Sequence, residues 1–146
     1  MQRKKTKPIS KNSLHYKYIQ NRSPKVPESM LVTVKKDITL TIRRIPEYIH
    51  ITNGKPILIG RFDKERRMAI DLDLTPYGAL KYGVSRLHAR FELDDKQRLY
   101  IIDLGSTNGT MLAGRRLKPN LRNPVLHGQK IAFGTLVTKV LFTAPA

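Results

Sequence analysis

The sequence of 146 residues contains no cysteine, which excludes a disulfide framework, a thiolate metal site and a cysteine nucleophile. It also has no apolar run near the roughly 18 residues that a membrane-spanning helix needs. The basic residues at the start of the chain are not followed by an apolar stretch, so we expect no signal peptide and a soluble protein that stays in the cytoplasm. The length fits one domain of about 100–150 residues with a tail.

Acidic residues are scarce in this chain. Eleven Asp and Glu face 28 Lys and Arg, which gives a formal net charge of +17. Residues 1–30 carry eight basic residues against one acid, and residues 31–146 carry twenty against ten. An excess spread over both parts favours an acidic partner, such as nucleic acid, anionic lipid or phosphorylated protein, without choosing among them.

The chain changes character near residue 30. Residues 1–30 contain three prolines, a basic cluster at residues 3–7 and few large apolar side chains, so they cannot bury enough surface to offset the entropy of ordering. We predict a disordered basic N-terminal arm over 1–30 and one domain over 31–146. The alternation of aromatic and basic residues at Tyr16, Lys17 and Tyr18 is also compatible with binding nucleic acid or an anionic surface through the arm.

From residue 31 the apolar residues recur with a period of two, which is typical of half-buried strands. No stretch has the helical period with a cap at each end. Short strands with turns between them predict an all-β sandwich or barrel. The predicted strands are a strand or hairpin over 32–42, then Tyr48–Thr52, Pro56–Gly60, Ala69–Leu74, His88–Leu93, Arg98–Leu104, Thr110–Leu112, Lys130–Phe133 and Val137–Phe142, with tight turns at Asp94–Asp95, Asn108–Gly109 and Ala113–Gly114.

Three polar segments stand out beside these strands: Gly60–Arg61, Ser85–Phe91 and Asp103–Thr110. In a sandwich all three could lie on loops at one end. Together they supply a guanidinium, hydroxyls and glycine-rich backbone amides. Arginine gives bidentate charge-assisted bonds, and a turn with positive φ angles can aim successive N–H groups inward, so this set suits an anion such as a phosphate.

The ordered motifs GR, SRxHA and GSTNGT resemble those of the forkhead-associated (FHA) domain, a phosphothreonine-binding module, and the resemblance covers roughly residues 31–143. It implies a sandwich of two twisted sheets with about eleven strands, whose loops at one end bind a peptide carrying phosphothreonine. The resemblance also implies that the protein is a non-enzymatic receptor in Ser/Thr kinase signalling, which needs no metal and no organic cofactor.

The resemblance also implies a role for individual residues. Arg61 would reach the phosphate, Ser85 would donate its hydroxyl to it, and Thr107 would add a further contact. Arg86 would touch phosphate or peptide, and Asn108 would hydrogen-bond the peptide backbone beside the phosphothreonine.

Three further residues of the motifs resemble the scaffold of the site. Gly60 and Gly109 would allow close backbone approach or a positive φ. His88 would make a buried hydrogen bond that fixes the loop carrying Ser85. A hydrolase triad of Ser85, His88 and Asp103 is disfavoured, because no nucleophile-elbow motif surrounds the serine.

Residues 75–84 form a longer loop than the family pattern has before its serine. It either lines the peptide groove, with Tyr77 and Tyr82 as apolar contacts, or packs on the sandwich as a structural flap. Residues 63–67 are interpreted as a solvated loop, the alternative being a rim that steers acidic peptide.

Two other features leave alternatives open. Asp71 and Asp73 are interpreted as the outward face of a strand rather than as a metal pair, because two carboxylates without a further ligand make a poor site. Thr6, followed by Ile9 three places later, raises the hypothesis that a kinase modifies Thr6 and that the arm folds back into the site.

Overall fold

A computed structural model describes residues 26–27 and 37–142 of the chain. Apart from residues 26–27, the predicted arm over 1–30 lies outside this part, and so do the domain boundary at residue 31, Thr6 and Tyr16–Tyr18. Within the described part, no helix is long and apolar enough to cross a membrane.

The described residues form eleven strands and one short 3₁₀ helix, so the prediction of an all-β fold with about eleven strands is confirmed. The strands are β1 Asp37–Ile42, β2 Ile45–His50, β3 Ile57–Gly60, β4 Leu72–Asp73, β5 Leu87–Leu93, β6 Leu99–Asp103, β7 Thr110–Leu112, β8 Arg115–Arg116, β9 Asn123–Pro124, β10 Lys130–Phe133 and β11 Leu136–Phe142, and the 3₁₀ helix is Thr75–Tyr77.

The strands build two sheets. The six-stranded sheet has the order β2-β1-β11-β10-β7-β8, and the five-stranded sheet has the order β4-β3-β5-β6-β9. Buried and accessible residues alternate along β1 and β11, as expected for strands with one face on a core. Phe133 from the larger sheet and Phe91 from the smaller one are fully buried in one hydrophobic cluster, so the core lies between the sheets.

Several strand ends differ from the sequence prediction. The register Ile42↔Ile45 closes a two-residue hairpin turn at Arg43–Arg44, which the sequence did not signal. The predicted strand Ala69–Leu74 is shorter in the structure, where only Leu72–Asp73 form β4. Side-chain carboxylates take up backbone N–H groups beside β4: Asp71 Oδ2 accepts the Leu58 N–H at 2.8 Å, and Asp73 Oδ1 accepts the Phe62 N–H at 3.0 Å.

The segment Asn108–Gly109, predicted as a tight turn, lies in the loop between β6 and β7. Strand β6 belongs to the five-stranded sheet and β7 to the six-stranded sheet. The loop therefore crosses from one layer to the other instead of closing a hairpin.

Candidate functional site

The register of three neighbouring strands brings the three polar segments to one end of the sandwich. Gly60 at the end of β3 pairs with Leu87 at the start of β5, and Ala89 pairs with Asp103 at the end of β6. Arg61 follows β3 directly, Ser85 precedes β5 by two residues, and the β6–β7 loop begins beside them. The loops of this end consequently converge, although they lie far apart in the sequence.

A cleft of about 330 Å³ opens between these loops. It brings together four of the residues that the sequence singled out and four that it did not assign to the site. The lining residues are Arg61, Ser85, Arg86 and Thr107, together with Arg66, Met68, Leu87 and Gly105.

Arg61 is held in place by the backbone of the neighbouring loop. Its Nε donates to the Val84 carbonyl oxygen at 3.0 Å, and its side chain is partly buried. Within residues 37–142 it forms no ion pair. The terminal N–H groups of this guanidinium are therefore available to an anion in the cleft.

The hydroxyl of Ser85 is positioned by the opposite loop. Ser85 Oγ accepts the backbone N–H of Thr107 at 3.1 Å, which leaves the hydroxyl proton of Ser85 to donate elsewhere. This bond also ties the segment before β5 to the β6–β7 loop. The two hydroxyl-bearing residues thus sit side by side in the wall of the cleft.

His88 is fully buried beneath this wall and is bonded at both ring nitrogens. Nδ1 accepts the Ser85 backbone N–H at 2.9 Å, so Nε2 carries the proton and donates to the Gly109 carbonyl oxygen at 2.9 Å. Its ring packs edge-on against Phe133 at 5.6 Å between centroids. Neither nitrogen faces Ser85 Oγ, so the geometry of a hydrolase triad is absent here.

Asp103 organises the β6–β7 loop from its buried position at the end of β6. Its Oδ1 accepts hydrogen bonds from Ser106 Oγ at 2.5 Å and Thr110 Oγ1 at 2.7 Å, and Oδ2 accepts the Gly105 N–H at 3.0 Å. Both carboxylate oxygens of Asp103 thus accept hydrogen bonds from residues that follow it in the chain. This network holds the loop in one shape beside the cleft.

Two glycines are required where the segments meet. A Cβ on Gly60 would lie 1.9 Å from the Arg86 carbonyl oxygen, the same oxygen that accepts the Arg61 N–H at 3.1 Å. Gly109 has a φ of +87°, and its carbonyl oxygen accepts from His88 and from the Gly134 N–H at 2.9 Å. Both positions need a residue without a side chain.

A family model for the FHA domain matches residues 57–134, which is more than half of the chain. The chain belongs to the FHA domain family. No match was found among curated proteins.

Solved structures of FHA domains share the fold. The FHA domain of the CT664 protein from Chlamydia trachomatis superimposes with a TM-score of 0.58 at 23% identity, over 74% of this chain and 99% of that one. The FHA domain of a hypothetical protein from Arabidopsis thaliana gives 0.59 at 25% identity, over 84% and 98%. The N-terminal FHA domain of Rad53p from S. cerevisiae, in complex with a phosphothreonine peptide, gives 0.57 at 17% identity, over 73% and 94%.

In this FHA domain Arg86 is paired with a carboxylate. Its NH1 lies 2.7 Å from Asp63 Oδ2, and this hydrogen bond holds the pKa of Asp63 below its ordinary value. In the segment 63–67, residues 64–67 are exposed, as a solvated loop requires, and Asp63 ties the segment to Arg86 just before β5. Arg66 of this segment and the following Met68 line the cleft.

Asn108 stands next to the cleft without lining it. Its Nδ2 donates to the Gly83 carbonyl oxygen at 3.0 Å, and the residue is exposed. The side chain thereby joins the β6–β7 loop to the end of the 75–84 loop.

The first half of the loop 75–84 packs on the sandwich as a structural flap, whereas Leu80 and Lys81 in its second half are exposed. Tyr77 is buried, and its hydroxyl donates to Glu47 on β2. This hydrogen bond to a carboxylate, together with burial, raises the pKa of Tyr77 to about 12. Tyr82 packs partly against the core, and its carbonyl oxygen accepts both the N–H and the hydroxyl of Thr135. Tyr77 is thus part of the sandwich and does not line the cleft.

We predict that the domain loses stability as the pH falls below about 6.5, the ordinary pKa of histidine. Burial lowers the pKa of His88, so the unfolded chain takes up a proton there before the folded domain does. The contribution of His88 is complete above that pH and declines as the pH falls toward the folded-state value. Urea denaturation at a series of pH values measures the decline, and an NMR titration of the His88 ring assigns it. A ring that protonates at its ordinary pKa in the folded domain would contradict this.

Proposed function

We propose that this FHA domain binds phosphothreonine in a partner protein, with the phosphate seated in the cleft. The observation that carries the proposal is the convergence of Arg61, Ser85 and Thr107 on one opening, which all three residues line. Guanidinium and hydroxyl donors in this arrangement match the acceptor oxygens of a phosphate group.

The charge balance of the cleft also supports an anionic ligand. Asp63 is paired with Arg86, Asp73 accepts hydrogen bonds from Phe62 and Thr75, and Asp103 accepts one from Thr110. Arg61 and Arg66 line the cleft and form no ion pair within residues 37–142. Two uncompensated guanidinium groups complement a phosphothreonine, which carries about −1.5 to −2 charges at pH 7.

An apolar part of the cleft favours threonine over serine. Met68 and Leu87 line the same opening as the arginines and are partly buried. They offer a surface for the threonine methyl group. Burying one methyl-sized group contributes about 0.8 kcal/mol, which corresponds to roughly fourfold in affinity.

Two solved relatives provide further support. The Rad53p domain is in complex with a phosphothreonine peptide. Another similar structure comes from work on phosphothreonine-dependent FHA domain interactions. We assign the same ligand class to this chain on the basis of its own cleft. The phosphorylated partner would be the product of a Ser/Thr protein kinase in the cytoplasm.

The proposed affinity is moderate. Each charge-assisted hydrogen bond contributes about 1.5–3 kcal/mol net. Three or four such bonds, less the cost of ordering the peptide, correspond to a Kd in the micromolar range.

The test of the proposal is a phosphothreonine peptide library screened against matched phosphoserine and unmodified libraries. We expect binding of phosphothreonine peptides, weaker binding of phosphoserine and none of unmodified peptides. Equal binding of the unmodified library would overturn the proposal. The alternative prediction, polyanion binding by residues 1–30, is separated by deleting these residues: phosphothreonine binding should survive the deletion, whereas polyanion binding should not.

A further inference from the structure

The turn between β1 and β2 has an unusual composition. Arg43 and Arg44 occupy the two positions of the hairpin loop with φ angles of 51° and 70°. Hairpin loops with two positive φ angles favour Asn-Gly or Asp-Gly, because side chains with a bulky Cβ are disfavoured there. Two arginines at these positions raise the backbone energy of the turn, and in exchange they add two positive charges to it.

One of these arginines shares an aromatic ring with a lysine. The Arg43 guanidinium carbon lies 5.6 Å from the centroid of the Tyr82 ring, and Lys81 Nζ lies 5.5 Å from the same centroid. A ring attracts each cation only modestly at an exposed site, and two cations beside one ring repel each other. Within residues 37–142 neither cation has an acidic partner.

Glu47 on β2 forms no ion pair with Arg43 or Lys81 in the described part of the chain. Its carboxylate accepts a hydrogen bond from the hydroxyl of Tyr77 instead. Among the described residues, Arg43 and Lys81 therefore form a pair of cations without an acidic partner.

This cation pair is fixed beside the phosphate-binding cleft. The carbonyl oxygen of Tyr82 accepts the Thr135 N–H at 2.9 Å, which holds the backbone next to the ring. The following residue, Gly83, accepts the hydrogen bond from Asn108 at 3.0 Å. Tyr82, which carries the ring contacted by both cations, is therefore the direct chain neighbour of the residue hydrogen-bonded to Asn108.

We propose that Arg43 and Lys81 form a second anion-binding subsite, which takes a carboxylate or a second phosphate on the same phosphopeptide. The inference rests on the proposed function of the cleft. An anion bound at this ring would offset the positive charge of both cations. The subsite would select, among phosphothreonine peptides, those with an acidic or phosphorylated residue at one distance from the phosphothreonine.

The test uses phosphothreonine peptides in an alanine background, with a single Asp, or in a second set a single phosphoserine, at successive positions on either side. Affinities are measured by isothermal titration calorimetry for the full chain and for the double variant R43N/K81Q. Asparagine suits the left-handed turn, so the hairpin should keep its stability. The control variant is Lys55→Gln, which removes an exposed cation from the β2–β3 loop.

We expect one position, or two adjacent ones, at which an acid raises the affinity of the parent about three- to tenfold. The gain should vanish in R43N/K81Q and persist in Lys55→Gln, while the affinity for the all-alanine phosphopeptide stays within about twofold. A gain in the Asp set identifies a carboxylate subsite, and a gain in the phosphoserine set alone identifies a phosphate subsite.

Two results would overturn the inference while leaving the proposed function intact. One is a gain of equal size in R43N/K81Q. The other is a uniform gain, or none, at every position in a parent that still binds the all-alanine phosphopeptide. A parent that binds no phosphothreonine peptide would instead refute the proposed function, and the inference with it.

Discussion

Arg61→Ala is expected to abolish measurable phosphothreonine binding while the domain remains folded. The guanidinium of Arg61 lines the cleft and forms no ion pair within residues 37–142, so its terminal N–H groups are available to the phosphate. Removing two charge-assisted bonds costs about 3 kcal/mol or more of binding energy, which is roughly 150-fold in Kd. A micromolar complex would then fall out of the range of calorimetry.

The matched control is Arg67→Gln, which removes one positive charge from the same loop. Arg67 is exposed and does not line the cleft, so its loss should change the affinity only by weak long-range attraction. Thermal unfolding of both variants should stay near that of the parent. Retained binding in Arg61→Ala, or an equal loss in Arg67→Gln, would remove Arg61 from its assigned role.

Gly60→Ala should have the largest effect on folding. The added Cβ would meet the Arg86 carbonyl oxygen at 1.9 Å and its carbonyl carbon at 2.8 Å. Both atoms belong to the backbone, so β3 and the segment before β5 must separate. We expect a loss of about 3 kcal/mol in the free energy of unfolding, measured by urea denaturation. Phosphopeptide affinity should fall as well, because the bond between Arg61 N–H and Arg86 O is the contact under strain.

Gly54→Ala is the control for this prediction. Gly54 has a φ of +81°, but its Cβ would have no atom within 4 Å. Its substitution should cost only the conformational preference of about 1–2 kcal/mol. A loss for Gly60→Ala no larger than that for Gly54→Ala would show that the close approach at β3 relaxes without cost.

The sequence predicted the longer strands of the fold and the three-residue β7, but not β8 and β9. β1 and β11 each present a period-two pattern because one face lies on the core. β8 and β9 have two residues each, too few to show a period. The Arg43–Arg44 turn was also missed, because its left-handed residues are not the glycine or asparagine by which such turns are predicted.

The candidate site could be predicted only in part, for a related reason. Ordered motifs pointed to Arg61, Ser85 and Thr107, and these residues line one cleft. Arg66 and Met68 carried no such signal, because the pairing of Asp63 with Arg86 sets the path of their loop, and that contact spans 23 residues. The position of Tyr77 depends likewise on Glu47, 30 residues away.

The proposed function requires that three distant segments of the chain contact one phosphate. The most direct test is an NMR titration of the isotopically labelled domain with a phosphothreonine peptide. The amides of Ser85 and Thr107 and the side-chain Nε of Arg61 should shift together with a single Kd, and the dephosphorylated peptide should leave all three unchanged. Shifts confined to the outer face of the six-stranded sheet, or equal shifts with the dephosphorylated peptide, would contradict the claim.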